Sequence, residues 1–395
     1  MKNPFASLHI LDFTHVYSGP YCTMLFADLG AQVLKIEKPE EGDDSRHYLP
    51  FKNGQSGYFM YLNRNKKSMT LNLKSKEGKR IVLYLIKRSD IVVENFSPGT
   101  MKKLGLDYKE VKKIRPNIIY ASISGFGQSG PLCGKPAFDI VAQAMGGMMS
   151  ITGFPDRPPV KCGASISDAN AGIHAAFAIM AALYNREKTG KGQYIDVAMM
   201  DTTVSILENY VMQYTLNGIV PKRNGNEHSA SAPFDAYQTK DNYVVIATGS
   251  NKLFERLIKV MHCEDLIYDS RFATNILRKK HYAELKPVIS SWMGKYSTND
   301  IITWLDKAKV PVAPILSIAE LVQHPQLQIR NMMVDVNQPG VGNITMPGFP
   351  IHFSEINGSV RTPSPLLGEN NEEILKNILH YDEKTVQKLK KEKII

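Results

Sequence analysis

Three glycines, Gly125, Gly127 and Gly130, are spaced as G-x-G-x-x-G, the spacing of a turn that binds the diphosphate of a dinucleotide. The motif follows the apolar run 117–124, which is typical of a strand. In a dinucleotide-binding domain, however, these glycines stand in the first strand-to-helix turn and open a helix. Here Pro131 directly follows the motif, and no helix start is evident for several residues. The context therefore argues against a nicotinamide site, although a flexible glycine loop could still line a ligand site.

A carboxylate, Asp168, stands at the start of a long Ala-rich helix predicted over residues 167–192. Its neighbours in "GASISDANAG" are small and would let a substrate approach closely. The positive end of the helix dipole stabilises a carboxylate, and it would also stabilise an oxyanion formed nearby. From residue types alone, the simplest interpretation is that Ser167 or Asp168 caps the helix.

Segments typical of strands and of helices alternate in the first third of the chain. Strands are predicted at 8–14, 31–39, 68–73, 90–96 and 117–124, and helices at 21–30 and 75–89. Strands separated by helices pair in parallel through right-handed crossovers. The predicted fold class is therefore α/β, with a large doubly wound, Rossmann-like parallel-sheet domain and a smaller α+β domain.

The pattern changes after the long helix. A strand is predicted at 193–199, a helix at 200–218, a polar loop at 221–233 and a hairpin at 237–250. The predicted domains are a large α/β domain over 1–220, a small domain over 221–325, and a C-terminal segment, 326–395, that returns to the large domain.

The bulk composition is that of a soluble globular protein, with 395 residues, 43% hydrophobic and 22% charged. The four cysteines form no C-x-x-C pair, which indicates reduced thiols in a cytoplasmic protein without a metal site. No apolar run approaches the roughly 18 residues of a membrane span. The net charge is +10, but the lysines alternate with acidic residues and no basic stripe carries aromatics. Nucleic acid is therefore not an expected partner, and a small polyanion is the alternative.

Several blocks of the sequence, taken in order, resemble the class III coenzyme A (CoA) transferases. This family contains formyl-CoA:oxalate and carnitine-type CoA transferases as well as 2-methylacyl-CoA racemases. The blocks include "LDFTHVYSGPYC", "NRNKKSMTLNLKSKEGK", "VENFSPGTMKKLGLDY", "SISGFGQSGP", "DANAGIHAAF" and "PLLGEN". The resemblance extends from about residue 8 to the C-terminus. It implies that the glycine stretch belongs to a site for CoA rather than NAD.

The resemblance implies that Asp168 is the catalytic nucleophile. The carboxylate would attack an acyl-CoA thioester, form a mixed anhydride and then an aspartyl-CoA thioester, which an acceptor carboxylate would attack in turn. An aspartate with an ordinary pKa of about 3.9 is ionised at neutral pH without a helper base. Because both intermediates react with water, the site is expected to exclude solvent.

The resemblance also implies a set of CoA contacts and an assembly. The matching positions are Val16, Tyr17, Lys38, Leu71, Lys74, Asn95, Lys103, Phe138 and Asp139, and Lys135 is a further nearby cation. Lys38 and Lys103 replace arginines of the relatives, so a point charge replaces a bidentate fork. CoA is expected as a substrate, with no prosthetic group. The family's assembly is a homodimer of interlocked rings.

Two other activities stay open from the sequence. A racemase needs an acid and a base to exchange a proton, but Phe138 stands where that branch has His, and the segment 247–254 contains no Glu. A CoA-binding module without turnover is the non-enzymatic alternative. The glycine run of formyl-CoA transferases is absent, and the corresponding stretch, 224–233, contains Glu227 and His228. A carboxylic acid larger than oxalate is therefore an open possibility for the acceptor.

Overall fold

The computed structural model describes residues 3–395 as two compact units. The first unit contains the chain up to residue 148 together with residues 161–211 and 325–395, and the second contains residues 149–160 and 212–324. These units differ from the predicted domains in that residues 149–160 group with the second unit. The second unit also begins at residue 212 rather than 221.

A six-stranded sheet forms the centre of the first unit. Its strands are β1 (His9–Asp12), β2 (Gln32–Glu37), β3 (Lys66–Thr70), β4 (Ile91–Glu94), β5 (Ile119–Ser124) and β6 (Tyr194–Ala198). The spatial order is β3-β2-β1-β4-β5-β6, and every neighbouring pair is parallel. The predicted doubly wound parallel sheet is thus confirmed. Because the order reverses between β1 and β4, a crevice is expected at the carboxyl ends of these two strands.

Helices cover both faces of this sheet. Between residues 18 and 205 the helices are, in chain order, α1 (Ser18–Asp28), α2 (Gly57–Asn63), α3 (Lys76–Lys87), α4 (Thr100–Leu104), α5 (Tyr108–Ile114), α6 (Asp139–Met145), α7 (Met148–Ile151), α8 (Ile166–Thr189) and α9 (Met199–Ser205). Successive strand residues face opposite sides, so Leu11 packs in a core with α3 and α5, while Ile10 packs in a second core with α1 and α8.

Helix α8 is the longest of the described helices. Its alanines face the second core, and Gly190, with φ of +68°, ends it as the sequence predicts. By length and apolarity alone, α8 would also suit a membrane span, but it packs here against α1 and the sheet. The single helix predicted over 200–218 is wrong. The chain leaves the helical conformation after Ser205, and Glu208 adopts a left-handed φ of +51° before a new helix, α10 (Tyr210–Asn217), begins.

The second unit combines a small antiparallel sheet with helices. Strands β7 (Phe234–Gln238) and β8 (Tyr243–Ala247) form the predicted hairpin, and β9 (Val312–Pro314) pairs with β8. The helices are α11 (Asn251–Met261), α12 (Asp265–Tyr268), α13 (Asn275–Lys280), α14 (Tyr282–Met293), α15 (Thr298–Lys307) and α16 (Ile318–Gln323). The apolar faces of α11, α14 and α15 share one core that contains Leu257, Leu285 and Leu305.

The C-terminal part of the first unit begins with α17 (Pro325–Ile329) and a hairpin of β10 (Met333–Gln338) and β11 (Gly342–Pro347). It continues with α18 (Asn371–Glu373), a wide helical turn at Ile374–Ile378 and α19 (Glu383–Lys391). Val386 and Leu389 of α19 pack in the core beside α3. The chain end therefore completes one face of the large sheet.

Candidate active site

A buried cluster of two carboxylates and two ammonium groups lies beneath the carboxyl ends of β1 and β2. Lys66 Nζ is 3.1 Å from Asp12 Oδ2, Lys35 Nζ is 2.7 Å from Asp43 Oδ2, and all four side chains are fully buried. Burial alone would raise the pKa of Asp12, but the charges of Lys66 and Lys35 outweigh it, so this pKa is lowered. Burial would raise the pKa of Asp43 as well, but the charges of Lys35 and His15 and the hydrogen bonds from Lys35 and Val16 together outweigh it, so this pKa is also lowered. We call these four residues the ionic floor.

The ionic floor fixes the turn that follows β1. Asp12 Oδ1 accepts hydrogen bonds from the backbone N–H and the hydroxyl of Thr14. Asp43 Oδ1 accepts a 3.0 Å bond from the N–H of Val16, which adopts a left-handed φ of +65°. A β-branched residue rarely adopts this conformation, so these bonds hold a strained turn in place.

Asn95, directly after β4, holds the same turn from the other side of the crevice. Its Oδ1 accepts a 2.7 Å bond from the N–H of His15, and its Nδ2 donates a 2.8 Å bond to the carbonyl of His15. The carboxyl ends of β1 and β4 are thereby joined at the point where the strand order reverses. Asn95 thus has a structural partner, and it also borders the cavity described next.

A cavity of about 420 Å³ opens at this edge of the sheet. Among the residues predicted from the sequence, its lining includes Val16, Tyr17, Lys38, Asn95, Lys135, Phe138 and Asp168. The structure therefore brings together side chains that are up to 152 residues apart in the chain, from Val16 to Asp168. A volume of this size lies within the usual range of small-molecule sites.

Four predicted contacts lie outside this lining. Leu71 is 2% exposed and packs in the core, whereas Lys74 and Lys103 are exposed. Leu71 and Lys74 follow β3, and Lys103 lies in α4 after β4, so all three stand near the carboxyl edge of the sheet. Asp139 is buried behind the first turn of α8.

Asp139, rather than Ser167 or Asp168, caps helix α8. Its Oδ1 accepts hydrogen bonds from the backbone N–H groups of Ser167 (2.9 Å) and Asp168 (3.3 Å). Its Oδ2 accepts a 2.6 Å bond from the side chain of Gln143. The predicted cap is wrong because Asp168 is the third residue of the helix, and Ser165, which precedes the helix, makes no side-chain cap. These two N–H groups are consequently occupied and not free to stabilise an oxyanion.

Asp168 itself is half-buried and faces the cavity. Burial raises its pKa to about 7, the negative charge of Asp139 adds to the rise, and a hydrogen bond from Ser18 opposes it. No ion pair joins Asp168 to a cation anywhere between residues 3 and 395. The expectation of an aspartate with an ordinary pKa is therefore wrong. Its carboxylate is desolvated and only partly ionised at neutral pH, and its ionised form is a stronger nucleophile than an ordinary carboxylate.

Gly172 allows α8 to lie close enough to α1 for the hydrogen bond from Ser18 to Asp168. A Cβ on Gly172 would lie 2.6 Å from the carbonyl oxygen of Ser18, a distance that no side chain tolerates without movement. Gly125 has a similar role in the glycine loop, since its Cβ would lie 2.3 Å from that of Ala137. Gly172 and Gly125 therefore permit close packing, whereas Gly127 and Gly130 of the same loop adopt left-handed φ values of +82° and +88°.

Three polar residues near Asp168 were missed by the sequence analysis. Ser18 donates a hydrogen bond to Asp168. Burial and the negative charge of Asp168 raise the pKa of Tyr58. The buried hydroxyl of Ser124 lines the cavity and has no hydrogen-bond partner in the described chain. Ser18 and Ser124 stand at or after the carboxyl ends of β1 and β5, and that position could have identified them. No sequence signal indicated Tyr58.

The remaining lining residues could hold the phosphates and the adenine of CoA. Lys38 is 59% exposed and its only ion pair within the described residues is a long one, 3.6 Å, to Glu41. Lys135 lies 6.0 Å from the centre of the Phe126 ring. Phe138 is 65% exposed and offers an apolar ring. Cations and an exposed ring at the mouth of one cavity fit a ligand that carries both phosphate and adenine.

The stretch 224–233 lies in the second unit, where local contacts account for its two unusual residues. Glu227 pairs with Lys279 (3.4 Å) and Lys286 (3.1 Å). The ring of His228 lies 4.9 Å from that of Phe234. Both side chains therefore help to hold the loop within its own unit.

Comparison with known proteins identifies the family of the chain. The family model described as CoA-transferase family III matches residues 5–371. An acetyl-CoA:oxalate CoA-transferase of Acetobacter aceti is 43% identical over 89% of this chain and 90% of its own. A succinyl-CoA:glutarate CoA-transferase of Mus musculus is 38% identical over 98% of this chain and 89% of its own.

A solved structure agrees as well. The crystal structure of a CAIB/BAIF family protein from Brucella suis is 35% identical, covers 95% of this chain and 100% of that chain, and superposes with a TM-score of 0.85. The match to the family model and the identity to these relatives extend over most of the chain. The chain therefore belongs to CoA-transferase family III.

Proposed function

We propose that this enzyme moves CoA from an acyl-CoA to a short dicarboxylic acid, with Asp168 as the covalent nucleophile. The observation that carries the proposal is the environment of Asp168. Its carboxylate faces a cavity at the crevice of the parallel sheet, without a cationic partner in the described chain, and its pKa is raised to about 7. A structural carboxylate is normally paired, as Asp12 and Asp43 are in the ionic floor.

The first half of the reaction loads CoA onto the enzyme. A carboxylate oxygen of Asp168 attacks the thioester carbonyl carbon, the C–S bond breaks, and CoA leaves as a thiolate from an aspartyl anhydride. The thiolate then attacks Cγ of Asp168, the anhydride C–O bond breaks, and the donor acid departs as a carboxylate. The enzyme now carries CoA as an aspartyl thioester, and no net proton has been gained or lost.

The second half is the reverse sequence with a new acid. The acceptor carboxylate attacks Cγ of Asp168 and expels CoA thiolate, which forms an anhydride between Asp168 and the acceptor. The thiolate then attacks the acceptor carbonyl, and the C–O bond to Asp168 breaks. This step releases the new acyl-CoA and regenerates the Asp168 carboxylate. Ser18 and Ser124 are the hydroxyl groups placed to donate to oxygens at this centre.

The acceptor class rests on the relatives and on the residues beside Asp168. The two relatives described above are named for oxalate and glutarate, which are both dicarboxylates. Tyr17 stacks on Tyr21 at 5.6 Å and meets Tyr58 at 6.0 Å. The charge of Asp168 acts on the hydroxyls of both Tyr17 and Tyr58. These neutral donors could hold the second carboxylate of an acceptor. Phe138, by contrast, cannot transfer a proton, so the position that holds His in the racemase branch supplies neither an acid nor a base here.

Acyl exchange measured by mass spectrometry tests the proposal. The protein is mixed with acetyl-CoA or succinyl-CoA and with mono- and dicarboxylic acids of matched chain length. We expect exchange that favours the dicarboxylates, and a loss of at least about a thousandfold in Asp168→Asn. Exchange at the parental rate in this variant would show that Asp168 is not the nucleophile.

A matched control separates chemistry from folding. Asp201 also lies in the first turn of a helix, α9, and is exposed. Asp201→Asn removes the same charge from a similar position and is expected to retain exchange. A CoA-binding module without turnover would bind CoA but give no exchanged thioester with any acid pair.

The family resemblance supports an interlocked homodimer as the working assembly. Such a dimer does not dissociate on dilution without unfolding, because its chains are threaded through each other. Size-exclusion chromatography at decreasing protein concentration is expected to show one dimeric species throughout. A monomer with native circular dichroism at low concentration would contradict this arrangement.

A further inference from the structure

The second unit carries a groove that is far from Asp168 in sequence and combines aromatic rings with cations. Its volume is about 690 Å³. The aromatic part is formed by Trp292, Tyr296 and Trp304, whose ring centres lie 4.9 to 6.2 Å apart. Trp304 is 38% exposed. A large indole presented to solvent beside two further rings is an unusual surface, because such rings are normally buried or bind a partner.

Four basic residues complete the lining: Arg256, Lys259, His262 and Lys307. The lining contains no carboxylate, and none of the four basic side chains forms an ion pair with a residue in the described range, 3–395. The charge of the groove is therefore uncompensated, which favours an anion as its occupant.

The cations are not needed to satisfy the helix ends on which they stand. Lys259 lies in the last turn of α11, but backbone N–H groups already bond the carbonyls of Ile258 and Lys259 there. In the last turn of α15, which contains Lys307, the N–H groups that follow likewise bond the carbonyls of Trp304 and Asp306. Both ammonium groups are thus available to a ligand.

We propose that this groove binds a nucleoside phosphate, with the base stacked on Trp304 and the phosphates held by Lys259 and Lys307. An exposed indole binds the planar ring of a ligand by stacking, and a cluster of cations without ion pairs favours a ligand that carries several negative charges. A nucleoside phosphate carries both on one small molecule, and the volume of the groove suits a ligand of that size. Two kinds of molecule contain both a base and phosphates in this arrangement: free nucleotides such as ATP, and CoA, which has a nucleotide at one end.

The sequence contains no continuous basic stripe that carries aromatics. The groove instead takes its residues from α11, α14 and α15, which are brought together by the core of the second unit. The proposal depends on none of the residues assigned to CoA transfer, so it can fail or succeed independently of that function.

The chain offers a built-in reporter for the test. It contains two tryptophans, and both line this groove. Intrinsic fluorescence, excited at the red edge of the tryptophan band where adenine does not absorb, therefore reports on this groove without a label. The full-length protein is titrated with ATP, ADP, 3′,5′-ADP, adenosine and inorganic tripolyphosphate. We expect saturable quenching by the nucleotides, and at least about tenfold weaker binding of adenosine and of tripolyphosphate.

Variants identify the groove as the source of the signal. Lys259→Ala combined with Lys307→Ala keeps both tryptophans and is expected to weaken nucleotide binding by about tenfold or more. Lys252→Ala removes an exposed lysine of the same helix, α11, outside the groove, and should leave binding unchanged. Trp304→Phe, which keeps Trp292 as the reporter, should weaken the nucleotides more than tripolyphosphate.

The outcomes either support or overturn the proposal. Tighter binding of ATP than of 3′,5′-ADP would assign the groove to free nucleotides, and the opposite order would assign it to CoA. If Lys259→Ala combined with Lys307→Ala bound the nucleotides as tightly as the parent, the proposal would be overturned. So would the absence of saturable quenching by any nucleotide up to millimolar concentration.

Discussion

Three carboxylates at the same edge of the large sheet lie in two opposite electrostatic environments. In the ionic floor, Asp12 and Asp43 are fully buried, each is paired with a lysine, and their pKa values are lowered. Asp168 is only half-buried, has no cationic partner in the part of the chain that is described, and its pKa is raised to about 7. Burial alone would predict the reverse order of pKa values, because the more deeply buried carboxylates lose more hydration.

The difference shows how the fold divides two tasks among similar side chains. The lysines of the ionic floor compensate carboxylates whose function is to hold the turn after β1. The same compensation at Asp168 would stabilise its negative charge and make it a weaker nucleophile. Because the lysines of the ionic floor pair with Asp12 and Asp43, Asp168 keeps its raised pKa, which suits the nucleophile that we propose.

The largest expected effect comes from breaking the ionic floor. Lys66→Met removes the closest cation from Asp12 and leaves a buried carboxylate with less compensation. We expect a loss of about 3–5 kcal/mol in the free energy of unfolding, measured by chemical denaturation.

The adjacent lysine gives a matched control for that loss. Lys67 pairs with Glu373, but both side chains are partly exposed, 44% and 40%. Lys67→Met is therefore expected to cost about 1 kcal/mol or less. Equal losses in the two variants would mean that the buried pair contributes no more than the exposed one, and the comparison would fail.

The next effect is a dependence of the reaction on pH. In the proposed mechanism the ionised form of Asp168 is the nucleophile. Because burial raises the pKa of Asp168 to about 7, kcat/KM should then rise about tenfold per pH unit below that value. An increase of about fiftyfold is expected between about pH 5 and pH 7, because about half of the carboxyl groups are ionised at the upper value. A rate that is flat over this range would indicate an Asp168 with an ordinary pKa.

The stability should change in the opposite direction over the same range. A carboxyl group with a pKa higher in the folded than in the unfolded chain binds more protons when folded, so its contribution is largest below the unfolded pKa of about 3.9. This contribution is lost as the pH rises through about 7. The free energy of unfolding of the parent should therefore fall, relative to that of Asp168→Asn, as the pH rises through this range.

The sequence predicted the sheet, because parallel strands that are buried on both faces leave continuous apolar runs such as 91–93 and 118–121. The resemblance to a known family predicted Val16, Tyr17 and Asn95 as ligand contacts, and all three line the cavity. The sequence could not show which carboxylate caps α8. Asp139 is 28 residues from Ser167 along the chain, and only the folded chain reveals that contact.

A smaller effect is expected from disturbing the contact between α1 and α8. In Gly172→Ala the new methyl group would meet the carbonyl of Ser18, so α8 must move and carry Asp168 away from the Ser18 hydroxyl. We expect a cost of about 1–3 kcal/mol from overpacking, together with a lower kcat.

Another glycine serves as the control for the contact between α1 and α8. A Cβ at Gly163 would meet no atom within 4 Å, and this glycine does not adopt a left-handed φ. Gly163→Ala is therefore expected to change stability by less than about 1 kcal/mol, and any change should be stabilising. A similar loss of kcat in both variants would mean that the position of α8 is not the cause.

The smallest effect separates the two roles of Asp139. Its negative charge raises the pKa of Asp168, while its Oδ1 caps α8. In Asp139→Asn the amide oxygen can still accept from the N–H groups of the helix, but the charge is gone. The rise of kcat/KM with pH should therefore shift to lower pH, by up to about one unit. The free energy of unfolding should fall by less than about 2 kcal/mol.

Asp139→Ala removes the charge and the cap together, so the two variants should share the shift in the pH profile but differ in stability. If the pH profile moved only in Asp139→Ala, the loss of the cap and not of the charge would be responsible. The raised pKa of Asp168 would then rest on burial alone, and the contrast with the ionic floor would be one of packing rather than of paired and unpaired charge.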